Sequence, residues 1–319
     1  MRAAQRVTES VNGYYQALVE ARIPFEMVDD RLMTPDRLNP YRVLVLANVA
    51  ALSDTQCRQL REYVMAGGRI VATGETSLYD ETGKRRANFG LSDLFGCDYV
   101  RTEKDVKNSY LTPHHPHPLT RGLEDAPRII AATQQLTVKP HEAGKQPLTL
   151  VPSYPDLPME RVFPPVGGED TETPMVFVRE VGKGRVVYFP MDLDRTFWEV
   201  LSEDHQVLLA NAVTWAADEA QPLTVTGPGV VDVAYWRQAN SLAAHVVNMN
   251  NPMMMKGPYR ELIPAGPYTV SLAVPPGAKV GAVKLLESGM AAKTSRQGDR
   301  LVVEIPSIRL HEVVAVDLT

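Results

Sequence analysis

The loop Thr73-Gly74-Glu75-Thr76-Ser77-Leu78-Tyr79-Asp80-Glu81 follows a short apolar run, Arg69 to Thr73, that reads as a buried strand. Open α/β sheets bind ligands beyond the carboxyl ends of their strands, so Glu75, Tyr79 and Asp80 are candidate binding residues. Two carboxylates in such a place can act as general acid and base when their surroundings split their pKa values. The competing reading is that these acidic residues are solvated or stabilise a turn. A second group follows another strand end in Pro190-Met191-Asp192-Leu193-Asp194-Arg195-Thr196-Phe197-Trp198. Asp192, Asp194 and Arg195 read first as an ion-pair network tying this loop to the next helix. An aromatic beside carboxylates, here Trp198, would also suit a sugar or an inter-subunit contact.

Other chemistry is less well supported. A catalytic thiol needs an exposed, strained elbow directly after a strand, with a histidine in reach. Cys57 instead sits a turn inside an amphipathic helix, on its apolar face, and Cys97 follows Phe95-Gly96; both read as core. The run His114-His115-Pro116-His117 has no carboxylate or cysteine at ligand spacing, so a proline-rich surface loop is expected there and no metal. No phosphate-binding glycine loop, Gly-x-Ser-x-Gly elbow or zinc-protease motif occurs, and no cofactor is expected.

The elements that must position these residues come next. Val7, Val11, Tyr14 and Leu18 recur at helical spacing, which predicts a helix from Ala4 to Arg22. Gly13 inside it weakens the helix by about 1 kcal/mol relative to Ala, which implies close packing against a neighbour. Strands are predicted at Pro24 to Val28 and Arg42 to Asn48. Ser53 with Gln56 forms a capping box for a helix to Met65 that buries Cys57, Leu60 and Val64, and Gly67-Gly68 ends it. Strand, capped helix and strand make a βαβ unit, hence a parallel sheet. The middle is less regular: of 25 prolines, twelve fall between Pro113 and Pro174. A helical turn at Leu91 to Phe95 and strands at Ile129 to Val138 and Leu148 to Val151 are expected, with Ser153 to Thr173 as a surface excursion. Regularity returns with strands Met175 to Arg179 and Arg185 to Phe189 around Gly182-Lys183-Gly184. A helix capped by Ser202 then runs to Ala217, with Leu208, Ala212 and Trp215 inward.

From Pro222 onward, short alternating segments appear at Val230 to Arg237, Ser241 to Asn248, Tyr268 to Ala273, Val280 to Leu286, Arg300 to Ile305 and His311 to Leu318. Six or seven strands in this length predict a small antiparallel β-sandwich. The chain has 319 residues, 44% hydrophobic and 22% charged, which suits two globular domains, divided at 218/219. A net charge of -5 gives no footprint for nucleic acid or an anionic membrane. No apolar run reaches the roughly 18 residues of a membrane span, and the opening MRAAQRVTES lacks a signal peptide's apolar core, so a cytoplasmic protein is expected.

GYYQALVEARIPFEMVDDRL (Gly13 to Leu32) and YRVLVLANVAALSDTQCRQLREYVMAGGRIVATGETSLYDETG (Tyr41 to Gly83) resemble the trimerisation domain of family-42-type β-galactosidases. GRVVYFPMDLDRTFWEVLSEDHQVLLANAVTWAA (Gly184 to Ala217) is similar to the end of that domain, and AAHVVNMNNP (Ala243 to Pro252) with IPSIRLHEVVAVDL (Ile305 to Leu318) resembles the sandwich that follows it. The resemblance implies a flavodoxin-like α/β fold similar to class I glutamine amidotransferases, without their nucleophile: the loop after Thr73 carries Gly74 and Glu75 and no thiol. In those hydrolases the catalytic glutamates lie on a (β/α)₈ barrel of about 250 residues, and no such stretch is present here, so no catalytic residue is carried over. The family domain also opens with a strand before its first helix, which is missing here and suggests a chain that begins inside a domain. The expectation is a non-catalytic, oligomerising portion of a glycoside hydrolase-like protein. It would be a homo-oligomer, a trimer by resemblance, with a catalytic barrel in cis or in trans and carbohydrate as ligand. The alternatives are a small sugar-processing hydrolase using Glu75, Asp80 and Asp192, or a carbohydrate-binding module with Trp198 or Trp236 as its platform.

Overall fold

The computed structural model describes residues 2–29, 31, 33–144, 146–153, 172–250 and 260–319. The chain divides into two compact units, one of Met1–Ala17 and Val28–Asp218 and the other of Leu18–Met27 and Glu219–Thr319.

The first unit opens with helix α1 (Arg2–Glu20) and a short α2 (Pro35–Leu38), then strand β1 (Val43–Leu46). Helix α3 (Asp54–Ala66) starts on a complete capping box: Gln56 donates its backbone N–H to the Ser53 hydroxyl, 3.1 Å, while the Gln56 side chain accepts the Ser53 N–H, 2.9 Å. Two of the helix's otherwise unmatched N–H groups are thereby satisfied. It ends at Gly67, whose φ of 116° suits a residue with no Cβ and whose N–H reaches the Tyr63 and Val64 carbonyls. Strand β2 (Arg69–Thr73) is buried at every position and pairs in parallel with β1, Leu44 against Ile70.

The middle of this unit is more ordered than its proline content implies. After α4 (Ser92–Phe95) come β3 (Cys97–Glu103), β4 (Tyr110–Pro113), β5 (Ile129–Ile130), β6 (Gln135–Pro140) and β7 (Leu148–Val151). They form two small sheets, β3-β6 and β5-β4-β7. The expected excursion at Ser153 to Thr173 falls almost wholly outside the described residues. Strands β8 (Phe177–Val181) and β9 (Gly184–Phe189) form a hairpin across Gly182-Lys183, and β9 pairs in parallel with β2. The principal sheet therefore runs β1-β2-β9-β8, with three parallel strands and an antiparallel edge. Helices α5 (Leu193–Val200) and α6 (Glu203–Ala217) complete the unit. Its core joins Leu60 and Val64 of α3 to Ile70, Val186, Tyr188 and Phe95, with the Phe95 and Tyr188 rings stacked at 4.1 Å between centroids.

The segment Pro24 to Val28 forms no strand. Residues 18–27 group with the second unit, where the Arg22 guanidinium donates to the carbonyls of Val225, Gly227 and Gly229 at 3.0, 2.7 and 2.8 Å. That unit is an antiparallel sandwich of β10 (Leu223–Thr226), β11 (Val231–Arg237), β12 (Ser241–Asn248), β13 (Tyr268–Ala273), β14 (Val280–Leu285), β15 (Lys293–Gln297), β16 (Arg300–Ile305) and β17 (His311–Leu318). Its sheets run β10-β13-β16-β15 and β11-β12-β17-β14. Strand β12 alternates half-buried and buried residues throughout, and Leu242, Ala244 and Val246 face the core with Val270, Leu272, Val303 and Val314. No helix among the described residues is long and apolar enough to cross a membrane.

Candidate functional site

The carboxyl end of β2 is shaped by three residues that hold one another. Asn48 follows β1 with a left-handed φ of 49° and donates its N–H to the Thr73 hydroxyl at 2.9 Å. Its side-chain carbonyl accepts the Glu75 N–H at 2.8 Å. Gly74 turns the chain between them at φ 57°, where a Cβ would press on the Asn48 amide. Tyr188 on β9 donates its phenolic proton to the Gly74 carbonyl at 2.8 Å. The loop thus leaves the strand along a path held by Asn48 and Tyr188.

A closed group meets the Thr73 hydroxyl. Asp192 accepts the Gln134 N–H at 2.9 Å and the Arg195 Nε–H at 2.5 Å. Arg195 also donates to the Thr133 hydroxyl and, at 3.1 Å, to Glu199. Asp194 accepts the Thr73 hydroxyl at 2.7 Å and the Arg195 N–H at 2.8 Å. Asp192 is 1% exposed and Asp194 is fully buried. Burial raises the Asp194 carboxyl to about 7, with the Asp192 charge adding to the rise and the Thr73 and Arg195 hydrogen bonds opposing it. Both carboxylates are turned inward, and with Arg195 they form a network that ties the end of β9 to α5. Trp198 lies half-buried on the next turn of α5.

Glu75 belongs to an open group. Its carboxylate accepts the Thr102 hydroxyl at 3.1 Å, and Tyr99 lies 3.2 Å from the same hydroxyl, both partners standing on β3. The Tyr79 phenol is pushed up by burial and then by the Glu75 charge, with Arg85 pulling it down. Arg85 stands 5.9 Å from the centre of the Tyr99 ring. Glu75, Tyr79, Tyr99 and Thr102 are half-buried and Arg85 is exposed. Asp80 does not join them: it accepts the N–H groups of Thr82 and Lys84 and the Thr82 hydroxyl, at 2.9, 3.0 and 2.6 Å. These bonds, the Thr82 hydroxyl foremost, hold its carboxyl below the usual range and commit it to the Asp80–Lys84 turn. Reasoning from sequence misses Tyr99, Thr102 and Arg85. No apolar alternation marks β3, and a register shift between Tyr99 and Arg101 breaks what pattern there is.

Both thiols lie in the core. Cys57 and Cys97 are buried, and burial raises both thiols above their ordinary pKa. His117 accepts the Leu119 N–H at 3.1 Å and starts the short 3₁₀ turn Pro118–Thr120. Among the described residues no cluster of three or more His, Cys, Asp or Glu side chains could hold a metal ion.

A family model described as ThuA, trehalose utilisation, matches residues 3–216. No curated protein matches the chain. Among solved structures, α-L-fucosidase isoenzyme 2 from Paenibacillus thiaminolyticus superposes with a TM-score of 0.75 at 17% identity, over 98% of this chain and 45% of that one. The β-galactosidase from Bacillus circulans sp. alkalophilus gives 0.64 at 14% identity, over 97% and 37%. Gan42B, a GH42 β-galactosidase from G. stearothermophilus, gives 0.59 at 18% identity, over 98% and 36%. At these identities the likeness is one of fold, and the chain spans less than half the length of each of these structures.

Proposed function

The chain belongs to the ThuA family, and on that premise we propose that it serves carbohydrate metabolism as a non-catalytic, self-associating portion of a glycoside hydrolase-like protein. The observation that carries this reading is the fate of the carboxylates at the sheet edge. Hydrolysis of a glycosidic bond ordinarily needs two carboxyl groups flanking it, one to protonate the leaving oxygen and one to attack or activate water. Asp192 and Asp194 are buried at the start of α5, Asp80 is spent on its own turn, and Glu75 meets the Thr102 hydroxyl and the Tyr79 phenol rather than a second carboxyl group. The chemistry would then belong to a catalytic barrel, in cis or supplied by another chain. This chain would contribute assembly, in a threefold homo-oligomer whose copies each wall a neighbour's cleft.

The test is a pair of measurements on the purified chain. Nitrophenyl glycosides of glucose, galactose and fucose should not be turned over, and light scattering should return a mass three times that of one chain. Turnover that disappears in Glu75→Gln would overturn the non-catalytic reading, and a monomer at all concentrations would overturn the assembly role.

A further inference from the structure

We propose that the open group at the carboxyl end of β2, formed by Glu75, Tyr79, Arg85, Tyr99 and Thr102, binds a neutral sugar ring; the proposal rests on the carbohydrate reading above. The contrast between the two groups at the carboxyl end of β2 carries it. Around Asp192 and Asp194 the hydrogen-bonding capacity is turned inward on buried partners. Around Glu75 it is left over. Thr102 uses one carboxylate oxygen, and among the described residues the other has no hydrogen-bond donor. The Tyr79 phenol and the Arg85 guanidinium likewise have no hydrogen-bond or ion-pair partner among the described residues, and Arg85 rests on the Tyr99 ring instead. The group therefore offers a strong acceptor, a phenol that can donate or accept, a guanidinium donor and aromatic surface, on a loop whose backbone is pinned by Asn48 and Tyr188.

Those features select a ligand class. One carboxylate and one guanidinium leave the site without net charge, so Glu75 disfavours phosphates and carboxylates, and a lone arginine does not outweigh it. A sugar ring matches the inventory: its hydroxyls donate to Glu75, accept from Arg85 and do either with Tyr79, while its C–H face lies on an aromatic ring. The location, beyond the carboxyl end of a parallel strand, is where open α/β sheets take ligands.

Saturation-transfer NMR on the full chain tests this with D-glucose, D-galactose and trehalose as probes, and phosphorus-31 line broadening reads inorganic phosphate on the same samples. At least one sugar should give saturable binding that weakens about tenfold in Glu75→Gln, which keeps the Thr102 bond but loses the charged acceptor. Tyr79→Phe, which keeps the ring, should weaken it several-fold, and Trp236→Ala should leave it unchanged. Absence of saturable binding by all three sugars overturns the proposal, as does binding of phosphate alone, or sugar binding that survives Glu75→Gln or is lost in Trp236→Ala. Circular dichroism on each variant separates lost binding from lost fold. A chain that binds no sugar yet is trimeric and inert refutes this site alone, whereas one that hydrolyses glycosides refutes the accessory reading.

Discussion

Gly13 of α1 lies directly against the backbone of Asp194, so close that a Cβ at position 13 would collide with the Asp194 carbonyl oxygen. The first helix and the first turn of α5 can meet only because one side chain is absent. In isolation, Ala in place of Gly strengthens a helix by about 1 kcal/mol. Here the obstacle is backbone, which cannot swing aside, so Gly13→Ala should destabilise the first unit by about 1–3 kcal/mol. Urea denaturation read by circular dichroism measures it. A midpoint equal to or above that of the parent would show that α1 does not seat on the turn in this way.

The same contact buries a carboxyl group, and its pKa sets a pH dependence. Asp194 rises to about 7 in the folded chain, chiefly by burial, against about 3.9 for an unfolded aspartate. Between these values the folded state holds a proton that the unfolded state has released, so stability falls as pH rises through that window. Asp194→Asn removes the titration while keeping the shape. The difference in unfolding free energy, variant minus parent, should therefore grow in the variant's favour by a few kcal/mol between about pH 4 and about pH 8. A difference independent of pH would mean that Asp194 titrates alike in both states.

How much of this was legible in the sequence depends on whether the signal is local. The Ser53–Gln56 capping box, the glycine that ends α3 and the alternation of β12 are fixed by residues within a few positions of one another, and each is readable there. The close packing implied by Gly13 was readable too, although its partner, 181 positions away, was not. Strand β15 (Lys293–Gln297) is exposed at every position, so it carries no apolar alternation to read. Pro24 to Val28 misled in the opposite sense: it has a strand's composition, but no strand partner lies beside it among the described residues. At the site, Glu75 and Tyr79 could be named because they follow a recognisable buried strand. Tyr99 and Thr102 reach them only through the pairing of β3 with β6, which no local pattern announces.

Arg195 and Glu199 separate a buried ion pair from an exposed one on a single side chain. The Asp192 carboxylate that Arg195 meets is almost wholly buried, whereas the Glu199 side chain is 60% exposed. Removing the guanidinium strands the Asp192 charge in a site where water cannot replace it, so Arg195→Met should cost about 3 kcal/mol or more. Glu199→Ala gives up a solvent-screened pair and should cost about 1 kcal/mol at most. Chemical denaturation of both variants provides the comparison. Equal losses would place the energetic centre of the network elsewhere than in the Asp192–Arg195 pair.

Two serines that read alike in the sequence should respond differently to the same substitution. Ser53 accepts the Gln56 N–H and its own N–H is met in return, whereas Ser202 precedes α6 with no hydrogen bond from its side chain to the helix. Serine at a helix start stabilises by accepting an N–H that the first turn cannot otherwise satisfy. Where that bond is made, Ser53→Ala should cost about 1 kcal/mol. Where it is not, Ser202→Ala removes only an unused hydroxyl, and the unfolding free energy should stay within about 0.5 kcal/mol of the parent. Both helices belong to the first unit, so one denaturation experiment reads both substitutions against the same cooperative transition. A Ser202→Ala loss as large as that of Ser53→Ala would mean that its hydroxyl caps α6 in solution.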